Sequence, residues 1–586
     1  TGRVDVGLTP RGLAASPRDG HVFVARYLSP DTHGEVTRID PTTLTVVEHL
    51  ALAFDHTPDT ENSGRGLPNG LGSPAVSPDG GRLWIPSNKD NMARGRQRDG
   101  LALTFDSTVR PIVSQIDLTT GQEVADARID FNDREGPVAV AFSPLGDYGF
   151  VLMQGSNAVV VVDSYSGRDL TAIEDVGMAP QGLVFTSDGT KLFVDSWLTR
   201  TVAVYNVKDI IYPGRDQTAE LLDVVPLVDQ EVLPGAVLRG KQIFYNANDR
   251  RINRDGYISC ASCHLDGGHD GRTWDRTAEG EGLRNTIDLR AIGHMLESGR
   301  LHWSANFDEI QDFEQDMRLL FGGSGFLADE VWAAGTIGQP LGASKAGLSS
   351  ELDALAAFVT FQARVPDSPH RAPGGGLTED GVAGQRLFQQ LGCAVCHGGP
   401  TFSSSGNGLL HDLGTVQPSS GHRLNGPLTG IDAPSLLGVW QSPPYLHDGS
   451  AATLRDALLL TNGWHGDVAA LAESELNQLI SFLLQLDGQS PPSVSAPPSI
   501  VVAQPAAGAR VRVGEPVTIA VNTSTGLGPV ARILFFVDGL PVGDDTTPIF
   551  SMRWTPATSG SHELAAQLIY ANGAKSYSAP VTIVAE

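Results

Sequence analysis

Over the first 225 or so residues, apolar and polar positions alternate in short runs, and turn strings of one kind interrupt them. The strings are Ser16-Pro17-Arg18-Asp19-Gly20, Ser77-Pro78-Asp79-Gly80, Ser143-Pro144-Leu145-Gly146 and Thr186-Ser187-Asp188-Gly189. An alternating run follows each of them, at 36–40, 113–117, 159–163 and 202–206. Period two marks a half-buried strand, and the spacing of about 43 residues between the last two turns is the length of a propeller blade. The wider gaps upstream predict loop insertions near 54–70 and 88–110. Past residue 230 the period changes. Leu352, Leu355 and Phe358 after Glu351 are matched by Leu476, Leu479 and Phe482 after Glu475, each set making one helical face. Gly240-Lys241-Gln242-Ile243-Phe244 and Gly384-Gln385-Arg386-Leu387-Phe388 form a second matched pair, read as helices whose glycine permits close helix packing. Pro366 to Gly376 links the two halves, and a Pro-rich stretch at 491–498 precedes a final alternating region with hairpin signals at Asp538-Gly539 and Asn572-Gly573.

Composition narrows the classes. A chain of 586 residues allows about four domains. With 41% hydrophobic and 18% charged residues it is not a disordered chain, and 67 glycines and 37 prolines supply many turns. A formal charge of −26 would repel a phosphate backbone, which argues against a nucleic-acid partner. The longest apolar runs are short, such as Ala158 to Val162, so no membrane span is expected. Residues 1–7 carry neither a basic start nor an apolar core, so no export signal is expected within this numbering.

All four cysteines fall in two strings, Cys260-Ala261-Ser262-Cys263-His264 and Cys393-Ala394-Val395-Cys396-His397. In C-x-x-C-H the two thiols lie one helical turn apart and can add to the two vinyl groups of a haem, with the next His under the iron. Two covalent c-type haems are expected, anchored by Cys260, Cys263, Cys393 and Cys396, with His264 and His397 as proximal ligands. The alternatives are a four-cysteine zinc site or a pair of thioredoxin-like redox motifs, neither of which calls for a His after each pair. Because c-type haem is attached outside the cytoplasm, a periplasmic or extracellular location is expected.

Each half reads as helix, haem string, variable loops and closing helix, the layout of a cytochrome c fold. Residues from about 232 to 488 resemble the bacterial di-haem cytochrome c peroxidase family, which includes the MauG-type enzymes. The resemblance rests on both haem strings in order, on Pro443-Pro444-Tyr445-Leu446-His447-Asp448-Gly449-Ser450 followed by Thr453-Leu454, and on Arg284-Asn285-Thr286 and His302-Trp303. It implies that Trp303 relays electrons or holes between the haems, the other reading being a core Trp against a haem edge. It implies that Asn285, Ser442 and Pro444 bind a calcium ion, the other reading being loop hydrogen bonds at a haem–haem seam. The first part similarly resembles YVTN-type β-propeller repeats and the last a bacterial Ig-like domain. The expected fold class is multidomain: an all-β propeller at 1–228, a mainly α tandem cytochrome c unit at 229–365 and 377–488, and a β-sandwich at 499–586. The four blades either close on themselves or continue into a larger ring encoded upstream.

The sixth ligands depart from the family pattern. Ala278-Glu279-Gly280-Glu281 has no His where many such peroxidases keep a displaceable one; His302 is the preferred candidate, with His269 the alternative. For the second haem, Trp464-His465-Gly466 makes His465 the candidate, with His411 and His422 next and His447 read as structural. The family's distal Glu has no counterpart in 320–326. Glu309, Asp312, Glu314 and Asp316 are read mainly as the solvated face of a helix whose apolar side is Ile310, Phe313 and Met317. The expected function is an exported di-haem oxidoreductase, peroxidase-like, with hydrogen peroxide or another small oxidant and a redox protein as partners. The alternative is a bis-ligated electron-transfer or surface-assembly protein whose propeller and Ig-like parts make self-assembly or surface contacts.

Overall fold

The repeated turns work as tight covalent reversals in the computed structural model, which describes residues 2–60, 63–92, 104, 107–212, 217–292, 299–461, 463–491, 500–523, 530–571 and 575–586. In every turn the amide of the first Ser or Thr reaches past the reversal, as in Ser77 N to Arg82 O (2.8 Å) and Ser143 N to Tyr148 O (2.9 Å). The closing glycines adopt left-handed φ values, 75° at Gly20, 70° at Gly80, 77° at Gly146 and 70° at Gly189, which a side chain would strain. Three of the turns join the first two strands of a four-stranded antiparallel sheet whose strands follow in chain order, while the turn at 77–80 joins Ala75–Val76 to Arg82–Asp90 within a six-stranded sheet. The first sheet comprises Pro10–Ala15, Val22–Arg26, His33–Asp40 and Thr45–Ala53. The second is built on Arg82–Asp90 and Val109–Asp117, flanked by Leu67–Asn69 and Ile129–Asp130. The third runs Pro137–Phe142, Tyr148–Met153, Ala158–Asp163 and Asp169–Ile173, and the fourth Pro180–Phe185, Lys191–Ser196, Thr201–Asn206 and Glu220–Pro226. Much of the insertion expected at 88–110 lies outside the described residues.

Successive sheets share cores. Phe23, Val36 and Leu50 meet Leu83, Ile85 and Ile116. Trp84 and Val113 meet Val151 and Val160, and Phe150 and Val161 meet Leu192, Val194 and Tyr205. Gly149 is required beneath Trp84, because a Cβ there would lie 2.3 Å from the indole ring.

The chain divides into two compact units, one comprising residues 1–271, 313–334 and 345–358, the other 272–312, 335–344 and 359–586. The first unit adds to the four sheets the helix Gly235–Phe244, the short helix Cys260–Cys263 and most of the helix Ser350–Gln362. The second holds Glu379–Gln390, Leu454–Leu460 and Glu473–Leu484. The matched helix pairs close in the same way. A Cβ on Gly240 would lie 1.8 Å from the Ala354 carbonyl oxygen, and one on Gly384 would lie 1.9 Å from that of Gln478. Around these crossings Leu352, Leu355 and Phe358 are buried in one half and Leu476, Leu479 and Phe482 in the other, as their spacing predicts.

The linking stretch is anchored rather than loose: Arg371 forks onto Asp487 through two bonds of 2.6 and 2.7 Å, and Ser368 N donates to the same carboxylate. The acidic segment at 309–316 differs from expectation. It forms a 3₁₀ turn at Ile310–Phe313 and a π-helical turn at Asp316–Leu320, not one amphipathic helix. Asp312 and Glu314 are buried, not solvated. Glu314 accepts from the Phe326 and Leu327 amides and from Arg318, and this local demand for acceptors overrides the helical period.

The last region is a two-sheet sandwich. One sheet is Ile500–Gln504, Val517–Thr523 and Ser551–Trp554; the other is led by Val530–Val537, Leu540–Asp545, Gly560–Tyr570 and Val581–Ala585. Ile519, Val521, Ile533, Phe535, Leu564 and Ile583 fill the space between them. Asp538-Gly539 forms the expected hairpin, with both residues at positive φ (50° and 76°), whereas Asn572-Gly573 and the linker at 492–499 lie outside the described residues. Among the described residues no helix is long and apolar enough to cross a membrane.

The glycine crossings give a direct test. Gly384→Ala must push the helix off the Gln478 carbonyl and should cost about 1–3 kcal/mol of stability in denaturant titration, with Gly240→Ala behaving alike. A loss near zero for both would mean that the crossings are not close-packed.

Candidate functional site

The two cysteine strings adopt the same local plan. In the first unit, Ser259 starts the short helix Cys260–Cys263, its amide donating to Ser262 Oγ (2.9 Å), and His264 N returns to Cys260 O (3.1 Å). In the second, Gly392 at φ 77° starts the turn Cys393–Val395, and His397 N returns to Cys393 O (3.0 Å). Each histidine points Nδ1 at a main-chain carbonyl, His264 at Gly268 O (3.0 Å) and His397 at Phe402 O (3.1 Å). A carbonyl accepts only from an N–H, so the tautomer is set and Nε2 carries the lone pair suited to a metal. None of the four cysteines is in a disulfide, and burial pushes Cys260, Cys393 and Cys396 up to about 12. Surroundings that oppose a thiolate are unlike those of a redox-active pair, whose thiol is held low. Paired thiols one turn apart, with an oriented imidazole beside them, fit a covalently held haem. Among the described residues no group of three or more His, Cys, Asp or Glu is arranged to hold a metal ion.

His465 is brought to His397. Their ring centroids lie 6.0 Å apart, tilted by 47°, and Thr461 Oγ1 contacts His465 Nδ1 at 3.1 Å. Burial, helped by the neighbouring imidazoles of His397 and His411, pushes His465 down to about 3, so it is neutral and able to ligate. The other second-half histidines are engaged differently. His411 contacts Ser404 Oγ through Nε2 (3.0 Å) and lies 3.6 Å from Cys396 Sγ. His447 is buried against Ser420 Oγ (3.2 Å) and held down to about 4, while His422 is exposed.

In the same unit, His302 sits at φ 65° with Nδ1 on Asn306 Oδ1 (2.8 Å) and its ring 4.5 Å from that of Phe307. Trp303 Nε1 donates to Asn285 O (2.7 Å), and the Trp303 carbonyl accepts from Asp432 N (2.8 Å). Asn285 Nδ2 donates to the Pro444 carbonyl, and Asn285 N to His447 O (2.7 Å), while Asn285 Oδ1 is buried without a partner. Two of the three residues expected at calcium, Asn285 and Pro444, are thus brought together, with the amide nitrogen and not its oxygen on the proline carbonyl. Ser442 Oγ instead reaches Val439 O (3.4 Å). In the first unit, His269 Nδ1 accepts from Gly271 N (3.0 Å).

Two buried carboxyls escape any reading by periodicity. Asp432 accepts from Ser405 Oγ (2.5 Å), and burial pushes it up to about 8 although Ser405, Arg300 and Arg423 oppose the shift. Glu135, from the loop before the third sheet, accepts from Ser262 Oγ (2.7 Å) inside the first cysteine string and is pushed up to about 7 by burial. Sequence carries no signal for either, since a lone acid in a loop looks like solvated surface.

The chain is similar to the hydrazine synthase subunit gamma of Kuenenia stuttgartiensis, 26% identical over 315 residues that span 47% of this chain and 84% of that one. It is likewise similar to the cytochrome c551 peroxidase of Nitrosomonas europaea, 26% identical over 290 residues, 43% of this chain and 80% of that one. The chain is a low-identity relative of bacterial di-haem cytochrome c peroxidases. A bacterial Ig domain model matches residues 498–566 of the chain, the region of the sandwich. The β-propeller domain of Myceliophteria thermophila Cps50 (Swd1) overlaps 38% of this chain and 73% of its own at 13% identity, with a TM-score of 0.23, too partial a likeness to bear on function.

Asp432 yields a pH test. Its folded pKa is raised, so the folded state holds the proton from about pH 4 upward while the unfolded chain loses it. The associated stability is full at low pH and lost as pH rises through about 8. Asp432→Asn should flatten the fall in melting temperature between pH 5 and pH 9; a variant curve parallel to the wild type would show that this carboxyl does not titrate there.

Proposed function

We propose that the chain is an exported di-haem c-type cytochrome oxidoreductase of the peroxidase type. Cys393, Cys396 and His397 would hold a second haem suited to receiving or storing electrons, and Cys260, Cys263 and His264 a first haem suited to hydrogen peroxide or another small oxidant. The observation that carries this reading is the 6.0 Å separation of the buried His397 and half-buried His465 rings. An imidazole–metal–imidazole stack with bonds of about 2.0–2.1 Å puts ring centroids roughly 6 Å apart. A nitrogen ligand on both faces suits electron transfer and leaves exchange with a small oxidant to the first haem.

Bound haem supplies the one-electron and oxidant chemistry; the chain's own residues orient and protect it. Gly268 and Phe402 fix the proximal imidazoles, Thr461 steadies His465, and the Asn285 carbonyl holds the Trp303 indole as a relay candidate. His302 is the candidate sixth ligand of the first haem, and Asn285, Pro444 and Ser442 are the candidate calcium residues. The four successive sheets support a propeller at 1–228, followed by haem domains at 229–365 and 377–488. Covalent haem implies a periplasmic or extracellular setting, where a redox protein would deliver electrons and the propeller and Ig-like parts offer contact surfaces. A second reading, an electron-transfer module with both irons doubly ligated, draws on the same His397–His465 pair and requires His302 to bind as firmly.

Intact-mass measurement should find two covalent haems, and Cys260→Ala/Cys263→Ala should remove one. His465→Ala should turn one low-spin EPR signal high-spin and leave the other unchanged. Stopped-flow mixing with hydrogen peroxide should perturb the Soret band of the first haem within the mixing series. No response to peroxide with two low-spin irons would select the electron-transfer reading, and zinc on the cysteines would overturn both.

A further inference from the structure

The first cysteine string is held from inside by the β-sheet part of the chain, through one residue. Glu135 precedes the third sheet, and its amide donates to Ser156 Oγ (2.8 Å) on the turn between the second and third strands. That turn grips the segment leading to the string, with Ala247 N donating to Gly155 O (2.9 Å), Asn248 Nδ2 to Ser156 O (2.7 Å) and Asn157 Nδ2 to Asn246 Oδ1 (3.1 Å). A Cβ on Gly155 would lie 1.5 Å from Glu135 Oε2, so the turn is shaped to admit the carboxyl group. Its Oε1 accepts from Ser262 Oγ, and that same oxygen caps the string by accepting from Ser259 N (2.9 Å). A buried carboxylate is costly without a compensating cation or several donors. A ferric haem in the loop that Ser262 belongs to would be such a compensating charge, and on reduction it would be lost.

We propose that Glu135 is the proton-accepting group of the first haem site, gaining a proton at Oε2 when that haem gains an electron. This rests on reading Cys260 to His264 as a haem attachment. The balance is simple: a one-electron donor, dithionite in the test, reduces ferric iron to ferrous, and one proton from buffer converts the Glu135 carboxylate to the neutral acid. Net charge in the buried site is unchanged, which is the physical reason for the coupling.

Burial and the Ser262 bond govern Glu135, with a pKa pushed up to about 7, inside the range where this coupling can be read. Among its surroundings Tyr27, on the first sheet, feels its charge and stays neutral through burial and the nearby carboxylates. Tyr27 in turn lies beside Tyr245, after the helix Gly235–Phe244, and beside the Arg11–Asp266 ion pair, whose guanidinium stacks 4.3 Å from the Tyr27 ring. Neither phenol titrates in the test range, because burial raises both.

Spectroelectrochemical titration of the intact protein between pH 5.5 and 8.5 tests this, after mass measurement has established that both haems are bound. In the wild type one of the two one-electron transitions should fall in potential with rising pH, approaching one proton per electron near pH 7. Glu135→Gln should make that transition independent of pH. Ser262→Ala, which removes the donor that favours the charged form, should move the break to higher pH while leaving its slope. A purely structural role would change the potential but not its pH profile. A Glu135→Gln protein with the wild-type profile overturns the proposal, as does an unmoved break in Ser262→Ala should the first variant fail to fold. A protein without covalent haem would overturn the functional reading instead.

Discussion

The architecture of the central region depends on two places where a helix must touch another helix's backbone. At Gly240 against Ala354 and at Gly384 against Gln478 there is no room for a single methyl group. Each contact fixes where a closing helix crosses the helix that leads into a cysteine string, and the buried leucines and phenylalanines on both sides follow from that crossing. Close-packed helices restrict the movement of the thiols and imidazole that each string carries. The duplication of the contact explains why the two halves, with little else in common, share their local plan.

Polar groups concentrate where this framework meets irregular chain. His465 and His447 are held neutral by burial, while Glu135 and Asp432 are held protonated well above the usual carboxylate range. Opposite shifts have the same cause, since desolvation penalises whichever form carries charge. Each group has a hydroxyl partner, namely Thr461, Ser420, Ser262 and Ser405. A hydroxyl donates or accepts as needed, which is why such pairs satisfy a buried titratable group in either state.

The β regions relate to the cysteine strings differently. The sandwich has its own hairpin chemistry and a core to which the preceding region adds Leu409, and its match to a bacterial Ig domain needs no contribution from the strings. The third sheet, by contrast, extends a turn and an acid into the first string's surroundings through Gly155, Ser156 and Glu135. The four-sheet array is therefore joined to the first cysteine string by hydrogen bonds and not only by the chain.

Sequence by itself determined whatever depends on near neighbours in the chain. Four turns needed a hydroxyl at one end and a left-handed glycine at the other; two helical faces were written at i, i+3 and i+6; C-x-x-C-H placed thiols and imidazole within one turn. Those rules act over a few residues, so spacing alone reveals them. Tertiary structure decided the rest. The segment at 309–316 reads as an amphipathic helix, yet Glu314 is drawn inward by the Phe326 and Leu327 amides, and the helix breaks into 3₁₀ and π turns. His465 was legible as a candidate, but its 6.0 Å approach to His397 comes from folding 68 residues of chain back on themselves. Glu135 lies 127 positions from Ser262, and no local pattern could join them. A buried polar contact selects its partner by desolvation and geometry in three dimensions, and neither quantity is carried by the order of residues along the chain.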